Sequence, residues 1–389
     1  MSIFIKNMKI LVGLSGGVDS AIAAYLLKQQ GHDVTCCFMR NWDSMTNNDT
    51  LGNPTLDNEI CSQEMDYLDA LSVADSLGLK LLRIDFIKEY WDYVFQSFLN
   101  DYKRGYTPNP DILCNKYIKF HSFLDYAKKL GFEYMATGHY AKVSYENGSY
   151  VMKKAYDLNK DQSYFLSQVP KEALSKTLFP LGEIDKHEVR RIASELKLSI
   201  AKKKDSTGIC FIGERHFREF LSNYLPMKPG DIIDLSTCKV IGRHQGVLYY
   251  TTGQRKGLGI GGSGGPYFVV DKDVYKNELY VANEKDEQWL YSDQCIVKDV
   301  NWLANFKVER SLKCQAKFRY RQQDNDVELS FIDETTVLLS YPQKVKAVTL
   351  GQQAVFYLDD LVLGGGVISQ VFLHGQDKKE ILTQYLKDR

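Results

Sequence analysis

Near its start the chain reads Met8-Lys9-Ile10-Leu11-Val12-Gly13-Leu14-Ser15-Gly16-Gly17-Val18-Asp19-Ser20, an apolar strand that runs into a glycine-rich turn. A helix-like stretch follows it. Glycines let the backbone turn tightly and bring its N–H groups close to an anion, and the following helix points its positive end to the same place. The stretch predicts a phosphate-binding loop formed by Gly13, Leu14, Ser15, Gly16, Gly17, Val18, Asp19 and Ser20.

Two common nucleotide loops are excluded by this spacing. The Lys-Ser/Thr pair that closes a Walker A loop is missing, and the glycines do not match the Gly-x-Gly-x-x-Gly dinucleotide fingerprint. The hexapeptide from Ser15 to Ser20 instead resembles the pyrophosphate loop of ATP pyrophosphatases. Those enzymes split ATP into AMP and pyrophosphate in order to adenylate an oxygen.

Strand and helix patterns alternate through the first half of the chain. Strands are predicted at 10–13, 33–39, 80–84 and 132–136, and helices at 21–30, 64–77, 86–102 and 116–130. This rhythm predicts an α/β domain with a doubly wound parallel sheet. Ligands of such sheets bind at the carboxyl ends of the strands, where the phosphate loop, Met39 and the segment Thr137-Gly138-His139 would meet.

The pattern changes after Phe220. Two Pro-containing turns and short alternating runs such as 247–251 predict a small β-rich middle domain. From about Trp289 onward, short strands such as 327–332 and 336–339 predict a C-terminal antiparallel β-barrel. The predicted domains are 1–215 (catalytic), 216–285 (central) and 286–389 (the barrel).

Composition narrows the class of protein. The chain has 389 residues with 49 Lys+Arg and 49 Asp+Glu, so its net charge gives no sign of a nucleic-acid partner. No apolar run is long enough to cross a bilayer, so no membrane association is expected. Eight cysteines without a secretory signal predict reduced thiols and a cytoplasmic location. None forms Cys-x-x-Cys, so no structural zinc site and no other protein-held metal are expected.

The first of two cysteine loops is Thr107-Pro108-Asn109-Pro110-Asp111-Ile112-Leu113-Cys114-Asn115-Lys116. Two prolines lower the cost of holding Asn109, Asp111 and Cys114 in one geometry. A helix start and Lys116 would favour a thiolate on Cys114. The alternative is a buried apolar cysteine, the commonest state of a free thiol.

The second cysteine loop is Asp205-Ser206-Thr207-Gly208-Ile209-Cys210-Phe211-Ile212, which follows the lysines at 202–204. Those lysines would lower the pKa of the Cys210 thiol and attract a phosphate backbone. A solvated run of charges is the alternative interpretation.

Seven motifs occur in the order found in one family. They are Gly13-Leu14-Ser15-Gly16-Gly17-Val18-Asp19-Ser20, Asn109-Pro110-Asp111-Ile112-Leu113-Cys114-Asn115, Ala136-Thr137-Gly138-His139-Tyr140, Lys160-Asp161-Gln162-Ser163-Tyr164, Ser206-Thr207-Gly208-Ile209-Cys210-Phe211-Ile212, Gly253-Gln254-Arg255-Lys256-Gly257-Leu258-Gly259 and Phe318-Arg319-Tyr320-Arg321. With them the chain resembles bacterial-type tRNA-specific 2-thiouridylases from about Lys9 almost to its C-terminus. It departs from the pattern at 44–60, a longer stretch rich in Asn, Asp and Thr that is predicted to be a surface loop.

The resemblance implies ATP-dependent 2-thiolation of the wobble uridine of tRNA. The phosphates of ATP would lie on the glycine-rich loop, its base and ribose near Met39 and Gly138, and Mg²⁺ is expected to accompany it. The uracil 2-oxygen would be adenylated, with AMP and pyrophosphate as products. Cys210 would carry a persulfide received from a sulfur-relay protein, Cys114 would release the sulfur and leave a Cys114–Cys210 disulfide, and Asp111 would handle a proton.

The resemblance also implies a set of residues that bind tRNA. Asn109, Pro110 and Asp111 would line a flipped uridine. The other positions are His139, Lys160, Asp161, Gln162, Arg319, Tyr320 and Gln352. The segment Arg319-Tyr320-Arg321 also suits RNA because cationic heads flank an aromatic platform, although an ordinary amphipathic strand is the alternative.

Two other functions remain open from the sequence. The first is a synthetase of the same ATP-splitting class that adenylates a carbonyl or carboxylate for attack by ammonia, which would need no cysteine pair. The second is a non-catalytic RNA-binding protein that keeps a vestigial nucleotide loop.

Overall fold

The structure is a computed structural model that describes residues 7–55, 62–205, 208–210, 212, 215–261, 266–306 and 310–389. Parts of two predicted features, the end of the 44–60 stretch and the motif positions Ser206, Thr207 and Phe211, lie outside these ranges. The elements of the first domain's sheet and flanking helices are β1 (Lys9–Gly13), α1 (Val18–Gln29), β2 (Asp33–Arg40), α2 (Ser62–Leu77), β3 (Lys80–Asp85), α3 (Ile87–Tyr90), α4 (Gln96–Lys103), α5 (Pro110–Leu113), α6 (Leu124–Lys129), β4 (Tyr134–Ala136), β5 (Lys142–Glu146), β6 (Ser149–Lys153), α7 (Lys171–Leu174), β7 (Thr177–Leu178) and α8 (Lys186–Glu195).

A five-stranded parallel sheet in the order β3–β2–β1–β4–β7 forms the centre of the first domain. Alternate residues of its strands enter two separate apolar cores: Leu11 and Cys37 face one, whereas Ile10 and Cys36 face the other. Since helices cover both faces, the prediction of a doubly wound parallel sheet is confirmed. The short strand β7 was not predicted, because two residues carry no periodicity.

Two long helical stretches cover one face of the sheet, and each contains a π-helical part. The segment π1 (Trp91–Phe95) joins α3 to α4, and π2 (Cys114–Phe123) joins α5 to α6. The second stretch begins at Pro110 rather than at 116, because the Asn109 side chain accepts the Asp111 N–H at 3.1 Å and Pro110 fits the first helical position.

The middle domain is a four-stranded sheet in the order β10–β11–β8–β9. Its elements are α9 (Phe217–Ser222), β8 (Gly230–Asp234), β9 (Lys239–His244), β10 (Tyr267–Asp273) and β11 (Glu278–Asn283). The prediction of a strand at 247–251 is wrong. Val247–Tyr249 is a 3₁₀ turn with Val247 and Tyr249 buried, and the Tyr249 hydroxyl donates to the Leu225 carbonyl at 2.7 Å. The alternation of apolar residues therefore reflects the two buried side chains of one tight turn, not a strand.

Six antiparallel strands close into the C-terminal barrel, as predicted. They are β12 (Tyr291–Trp302), β13 (Ser311–Lys317), β14 (Asn325–Phe331), β15 (Val337–Lys346), β16 (Gln353–Leu358) and β17 (Leu361–Leu373). Pairing of β12 with both β15 and β17 completes the ring. The strand β18 (Gln376–Asp377) and the helix α10 (Lys378–Lys387) follow it.

The hairpin formed by β5 and β6 joins the first domain to the barrel. Lys153 of β6 is in register with Leu361 of β17, so the hairpin extends the barrel sheet. The Asn-Gly pair at Asn147 and Gly148 forms its turn, with φ of 48° and 81°. This hairpin was not predicted, although an Asn-Gly turn is a recognisable signal.

The stretch after β2 is only in part the surface loop that was predicted, because Met45 and Leu51 are exposed whereas three of its polar residues are not. Asn47, Asp49 and Asn53 are buried, and the Asp49 carboxylate accepts a hydrogen bond from Trp42 Nε1 at 3.0 Å. An Asn- and Asp-rich composition predicts solvent exposure only where those side chains lack internal partners, and here the chain supplies them.

Candidate active site

The glycine-rich loop connects β1 to α1 and presents the N-terminus of that helix. Gly16 has a φ of 74°, and a Cβ there would lie 2.3 Å from the Asp66 carbonyl oxygen, so only glycine fits. The Ser20 hydroxyl donates to the Gly17 carbonyl at 3.0 Å and accepts the Ser15 N–H at 3.2 Å. These bonds fix the shape of the loop, while the first N–H groups of α1 have no intrahelical acceptor.

The Asp19 carboxylate is held by a lysine that the sequence analysis did not identify. Lys186 Nζ lies 2.7 and 2.8 Å from the two Asp19 oxygens, and the Tyr140 hydroxyl donates to Asp19 at 2.8 Å. Lys186 also pairs with Asp205 at 2.7 Å. Burial alone would raise the pKa of Asp205, but hydrogen bonds from Lys160 and Lys186 lower it to about 2.

Gly138 and Met39 lie against the same loop. A Cβ on Gly138 would be 2.6 Å from the Ser20 nitrogen, so the end of β4 touches the start of α1. The Met39 side chain, at the end of β2, is 3.2 Å from the position of a Cβ on Gly13. The two residues expected near the base and ribose therefore border the loop, and their role in ATP binding stays a prediction.

Cys114 and Cys210 meet although 96 positions separate them. Their Sγ atoms are 3.7 Å apart and are not bonded to each other. Cys114 begins π2 and is fully buried, whereas Cys210 is partly exposed. The Cys210 backbone is held on two sides, because its N–H donates to Asp111 Oδ1 at 3.0 Å and its carbonyl accepts the Tyr90 hydroxyl at 2.8 Å.

The pKa values of the two thiols are shifted in opposite directions. The hydrogen bond from the Cys114 thiol lowers the pKa of Cys210, and the charge of Lys119 adds to this effect against the desolvation of the site. Burial raises the pKa of Cys114 well above its usual range, and Cys210 raises it further. The pair therefore favours a thiolate on Cys210 and a neutral thiol on Cys114. Burial also raises the pKa of Asp111.

Two predictions about these thiols are wrong. Lys116 does not favour a thiolate on Cys114, because its ammonium donates to Gln168 Oε1 at 3.1 Å and the buried thiol has a raised pKa. The lysines at 202–204 do not supply the cation that lowers the pKa of Cys210. Lys203 instead pairs with two aspartates of α2, at 2.7 Å each.

The positions predicted to bind tRNA fall into three places. Asn109, Pro110, Asp111 and His139 adjoin the thiol pair, whereas Lys160, Asp161 and Gln162 follow the β5–β6 hairpin. Lys160 pairs with Asp205 at 2.7 Å, and Gln162 accepts the Tyr140 N–H at 3.0 Å. The Asp161 carboxylate is buried and accepts the Ala155 N–H and the Ser163 hydroxyl, so in this conformation it shapes the turn.

The third place is the seam between the barrel and the other domains. Gln352 Nε2 donates to the Thr107 carbonyl at 2.6 Å, which ties the barrel to the loop before Asn109. The Tyr320 ring contacts Phe165 with centroids 4.3 Å apart, and the Phe165 carbonyl accepts from Asn115, next to Cys114.

Arg319 does not flank Tyr320 as a free cation, contrary to the sequence interpretation. Its guanidinium donates to the Thr252 and Ala347 carbonyls and to the Thr349 hydroxyl, at 2.8–3.0 Å. The segment is also a turn after β13 rather than a strand. A role of these barrel residues in tRNA binding stays a prediction.

Across the ranges that the structure describes, no helix is long and apolar enough to span a membrane. Within the same ranges, no three His, Cys, Asp or Glu side chains form a group that would hold a metal ion.

Comparison with known families gives the class of the protein. A family model described as tRNA methyl transferase HUP domain matches residues 8–214. Models described as tRNA methyl transferase PRC-barrel domain and Aminomethyltransferase beta-barrel domain match residues 218–283 and 292–368. The parallel sheet with its glycine-rich phosphate loop thus belongs to a HUP domain, followed by a PRC-barrel domain and a β-barrel. The predicted domain limits themselves stay predictions.

Relatives with curated names are similar over almost the whole chain. A protein of Mycoplasma capricolum named tRNA-specific 2-thiouridylase MnmA is 57% identical over 372 residues, covering 94% of this chain and 99% of its own. Proteins of the same name from Acholeplasma laidlawii and Bacillus cytotoxicus are 53% and 49% identical, covering 95% of this chain and 98% and 96% of their own. The chain belongs to the tRNA-specific 2-thiouridylase family.

Proposed function

We propose that this protein replaces the 2-oxygen of a tRNA wobble uridine with sulfur in an ATP-dependent reaction. One observation carries the proposal: two thiols whose pKa values are shifted in opposite directions lie 3.7 Å apart in the chain that carries the glycine-rich loop. Methyl transfer, the activity that the family-model description mentions, does not by itself require such a pair. The curated name shared by the similar proteins agrees with sulfur transfer.

The first half of the proposed reaction activates the uridine. The uracil 2-oxygen attacks the α-phosphorus of ATP, so that an O–P bond forms and pyrophosphate leaves. The N-terminus of α1 and the glycines of its loop would hold the phosphates. Lys186, which holds the Asp19 carboxylate, and Lys203, whose ammonium donates to the Gly16 carbonyl at 3.2 Å, would be the cations beside them. Mg²⁺ would neutralise phosphate charge, and its ligands here would include phosphate oxygens.

The second half transfers sulfur. The Cys210 thiolate takes the outer sulfur of a donor protein's persulfide, which releases that protein's thiolate. The resulting Cys210 persulfide anion attacks C2 of the uridine and expels AMP. Cys114 loses its proton and attacks Cys210 Sγ, so the uridine leaves with its new sulfur and a Cys114–Cys210 disulfide forms. Asp111, with its raised pKa, suits the proton transfer, and a thiol reductant must then reduce the disulfide.

The tRNA would lie across the thiol pair, the β5–β6 hairpin and the barrel seam, which carry the residues that the resemblance assigns to RNA. An anticodon-loop base is already partly unstacked, so extruding it costs at most a few kcal/mol. A cytoplasmic location, where tRNA and reduced thiols occur together, is part of the proposal.

Mass spectrometry of nucleosides tests this function. Wild-type protein, ATP, a persulfide donor and unmodified tRNA should yield a uridine with one sulfur in place of one oxygen, together with AMP and pyrophosphate. Cys210→Ser should abolish the product. Cys114→Ser should stop at tRNA joined to Cys210 through a disulfide, which a reductant would cleave.

Three outcomes would contradict the proposal. Product formation by Cys210→Ser would favour a synthetase that uses ammonia. A uridine that gains a methyl group would favour methyl transfer. Absence of pyrophosphate release in the presence of tRNA would favour a non-catalytic RNA-binding protein.

A further inference from the structure

Lys119 occupies a position that an ordinary helix would not give it. It follows Cys114 by five residues within π2 (Cys114–Phe123). Five residues make about 1.4 turns of an α-helix, which would direct the two side chains to different faces. A π-helix bonds residue i to residue i+5, so the same five residues return to one face. The π-helical segment therefore brings an ammonium group to the thiol pair.

The contacts of Lys119 confirm this placement. Its ammonium lies 3.4 Å from His139 Nε2, and among the charges that act on it the charge of Cys210 raises its pKa most. Burial alone would lower the pKa of Lys119, but the charges of Cys210, Cys114 and Asp111 outweigh it and raise that pKa. Lys119 is therefore a permanent cation in this site at neutral pH.

His139 is the partner that orients this cation. Its Nδ1 lies 2.7 Å from the Thr137 hydroxyl, just beyond the end of β4. Burial and the charge of Lys119 lower the pKa of His139 well below its usual value, so the imidazole is neutral. Because an ammonium only donates, Nε2 must be the acceptor. The ring proton then sits on Nδ1 and is donated to Thr137.

We infer that Lys119 is a further catalytic residue whose ammonium holds the sulfur anion on Cys210, and that neutral His139 is a positioning residue that directs Lys119 toward it. In the proposed sulfur transfer, Lys119 would be the cation that balances the negative charge on the Cys210 sulfur. The catalytic role of Lys119 therefore rests on the proposed function. The titratable groups that face one another in the site are Cys114, Cys210, Asp111, Lys119, His139 and Tyr90.

This arrangement has a chemical consequence. A thiolate, and equally the persulfide anion that replaces it, keeps its charge in a partly buried site when a cation or a hydrogen-bond donor lies beside it. The Cys114 thiol donates one hydrogen bond to Cys210, but it is consumed when it becomes the attacking group. Lys119 is the cation beside the pair that the reaction does not consume.

The test measures the acidity of Cys210 without ATP or tRNA. The full chain is alkylated with iodoacetamide at a series of pH values, and modification of the Cys210 peptide is followed by mass spectrometry. Lys119→Met should raise the apparent pKa of Cys210 by one unit or more, which lowers the alkylation rate at pH 7 by about tenfold. Lys119→Arg should restore most of the rate, and Lys119→Gln provides a second variant with a neutral polar side chain.

Lys116→Met is the matched control, because it removes a lysine of the same segment whose ammonium donates to Gln168. His139→Phe should raise the apparent pKa of Cys210, whereas His139→Gln, which keeps an acceptor, should not. A merely structural role of His139 would give both variants the same profile. Circular dichroism at each pH confirms that the variants are folded.

Unchanged Cys210 titration in folded Lys119→Met and Lys119→Gln would overturn the inference, as would an equal shift in Lys116→Met. The outcome is independent of the proposed function. If wild-type protein makes no thiolated uridine while Lys119→Met still shifts the titration, the proposed function is wrong but the effect of Lys119 on the Cys210 pKa is confirmed.

Discussion

Asp49 and Arg215 form a buried ion pair that joins the segment after β2 to the chain just beyond the Cys210 loop. Arg215 Nη2 and Nε lie 2.9 and 3.0 Å from the same Asp49 oxygen, and the side chains are 3% and 0% exposed. The next residue makes a second contact with the same segment: the His216 N–H donates to the Gly52 carbonyl at 2.9 Å. The Asn-rich segment thus anchors the chain just beyond the loop that carries Cys210.

Asp49→Ala should lower the free energy of unfolding by about 3–5 kcal/mol, because it leaves a buried guanidinium without its carboxylate. Urea denaturation followed by circular dichroism measures the loss. Glu284→Ala is the matched control. Glu284 forms an ion pair of the same 2.9 Å length with Arg255, and both side chains are more than half exposed. Losing this pair should cost less than about 1 kcal/mol. Equal losses in both variants would show that the pair does not anchor that part of the chain.

Gly138→Ala should weaken nucleotide binding at least about tenfold, which corresponds to about 1.4 kcal/mol. The added methyl would lie 2.6 Å from the Ser20 nitrogen and 2.7 Å from the Asp19 carbonyl carbon, so the loop backbone must shift. Calorimetric titration with a non-hydrolysable ATP analogue measures the effect. Gly261→Ala, where a Cβ meets nothing within 4 Å, should bind as wild type does. Wild-type affinity in Gly138→Ala would remove this strand end from the nucleotide site.

The sheet and the glycine-rich turn after β1 could be predicted because their signals are local. The strands β1 and β2 are largely buried apolar runs, and the glycine motif lies within eight consecutive residues. The two-residue strand β7 has no such signal. Asp49 is buried against Arg215, 166 positions away, so composition alone misplaced this side chain at the surface.

The sequence identified the two thiols of the candidate site but not the charged residues around them. Motifs identified Cys114 and Cys210, whereas their protonation depends on burial and on neighbours that only folding supplies. Lys119 was missed because helical spacing assumes an α-helix, and the π-helical segment changes which residue shares a face with Cys114. Lys186 could have been noticed, because the Asp185 cap fixes it at the first position of α8.

Lys186→Met should slow tRNA-dependent pyrophosphate release by about tenfold or more, because the Asp19 carboxylate loses the cation that neutralises it beside the phosphates. A coupled pyrophosphatase assay measures the rate. Lys129→Met, which removes an exposed lysine at the end of α6, should leave it unchanged. A wild-type rate in Lys186→Met would mean that this lysine only stabilises the fold.

The neutral state of His139 should appear in the pH dependence of stability. Its folded pKa lies well below 6.5, so below pH 6.5 the unfolded chain binds a proton that the folded chain does not. The free energy of unfolding should therefore fall as the pH decreases from about 6.5, by about 1.4 kcal/mol per pH unit for one such proton. His139→Gln should remove that part of the slope. His216→Gln, at a histidine side chain that is 68% exposed, should keep it. An unaltered slope in His139→Gln would mean that this imidazole is protonated in the folded protein.

Arg319 could contact a tRNA phosphate or link two domains of the protein. Its hydrogen bonds favour the link between domains. It bonds Thr252 of the middle domain and Ala347 and Thr349 of the barrel. Arg319→Met should lower the free energy of unfolding by about 1–3 kcal/mol, because buried acceptors lose their donor. It should leave the salt dependence of tRNA binding unchanged. By contrast, Lys204→Ala at an exposed lysine should reduce the slope of log K against log salt by about 0.7–0.9, if that lysine contacts one phosphate. Filter binding across a salt series measures both slopes. A reduced slope in Arg319→Met, without loss of stability, would place its guanidinium on the RNA instead.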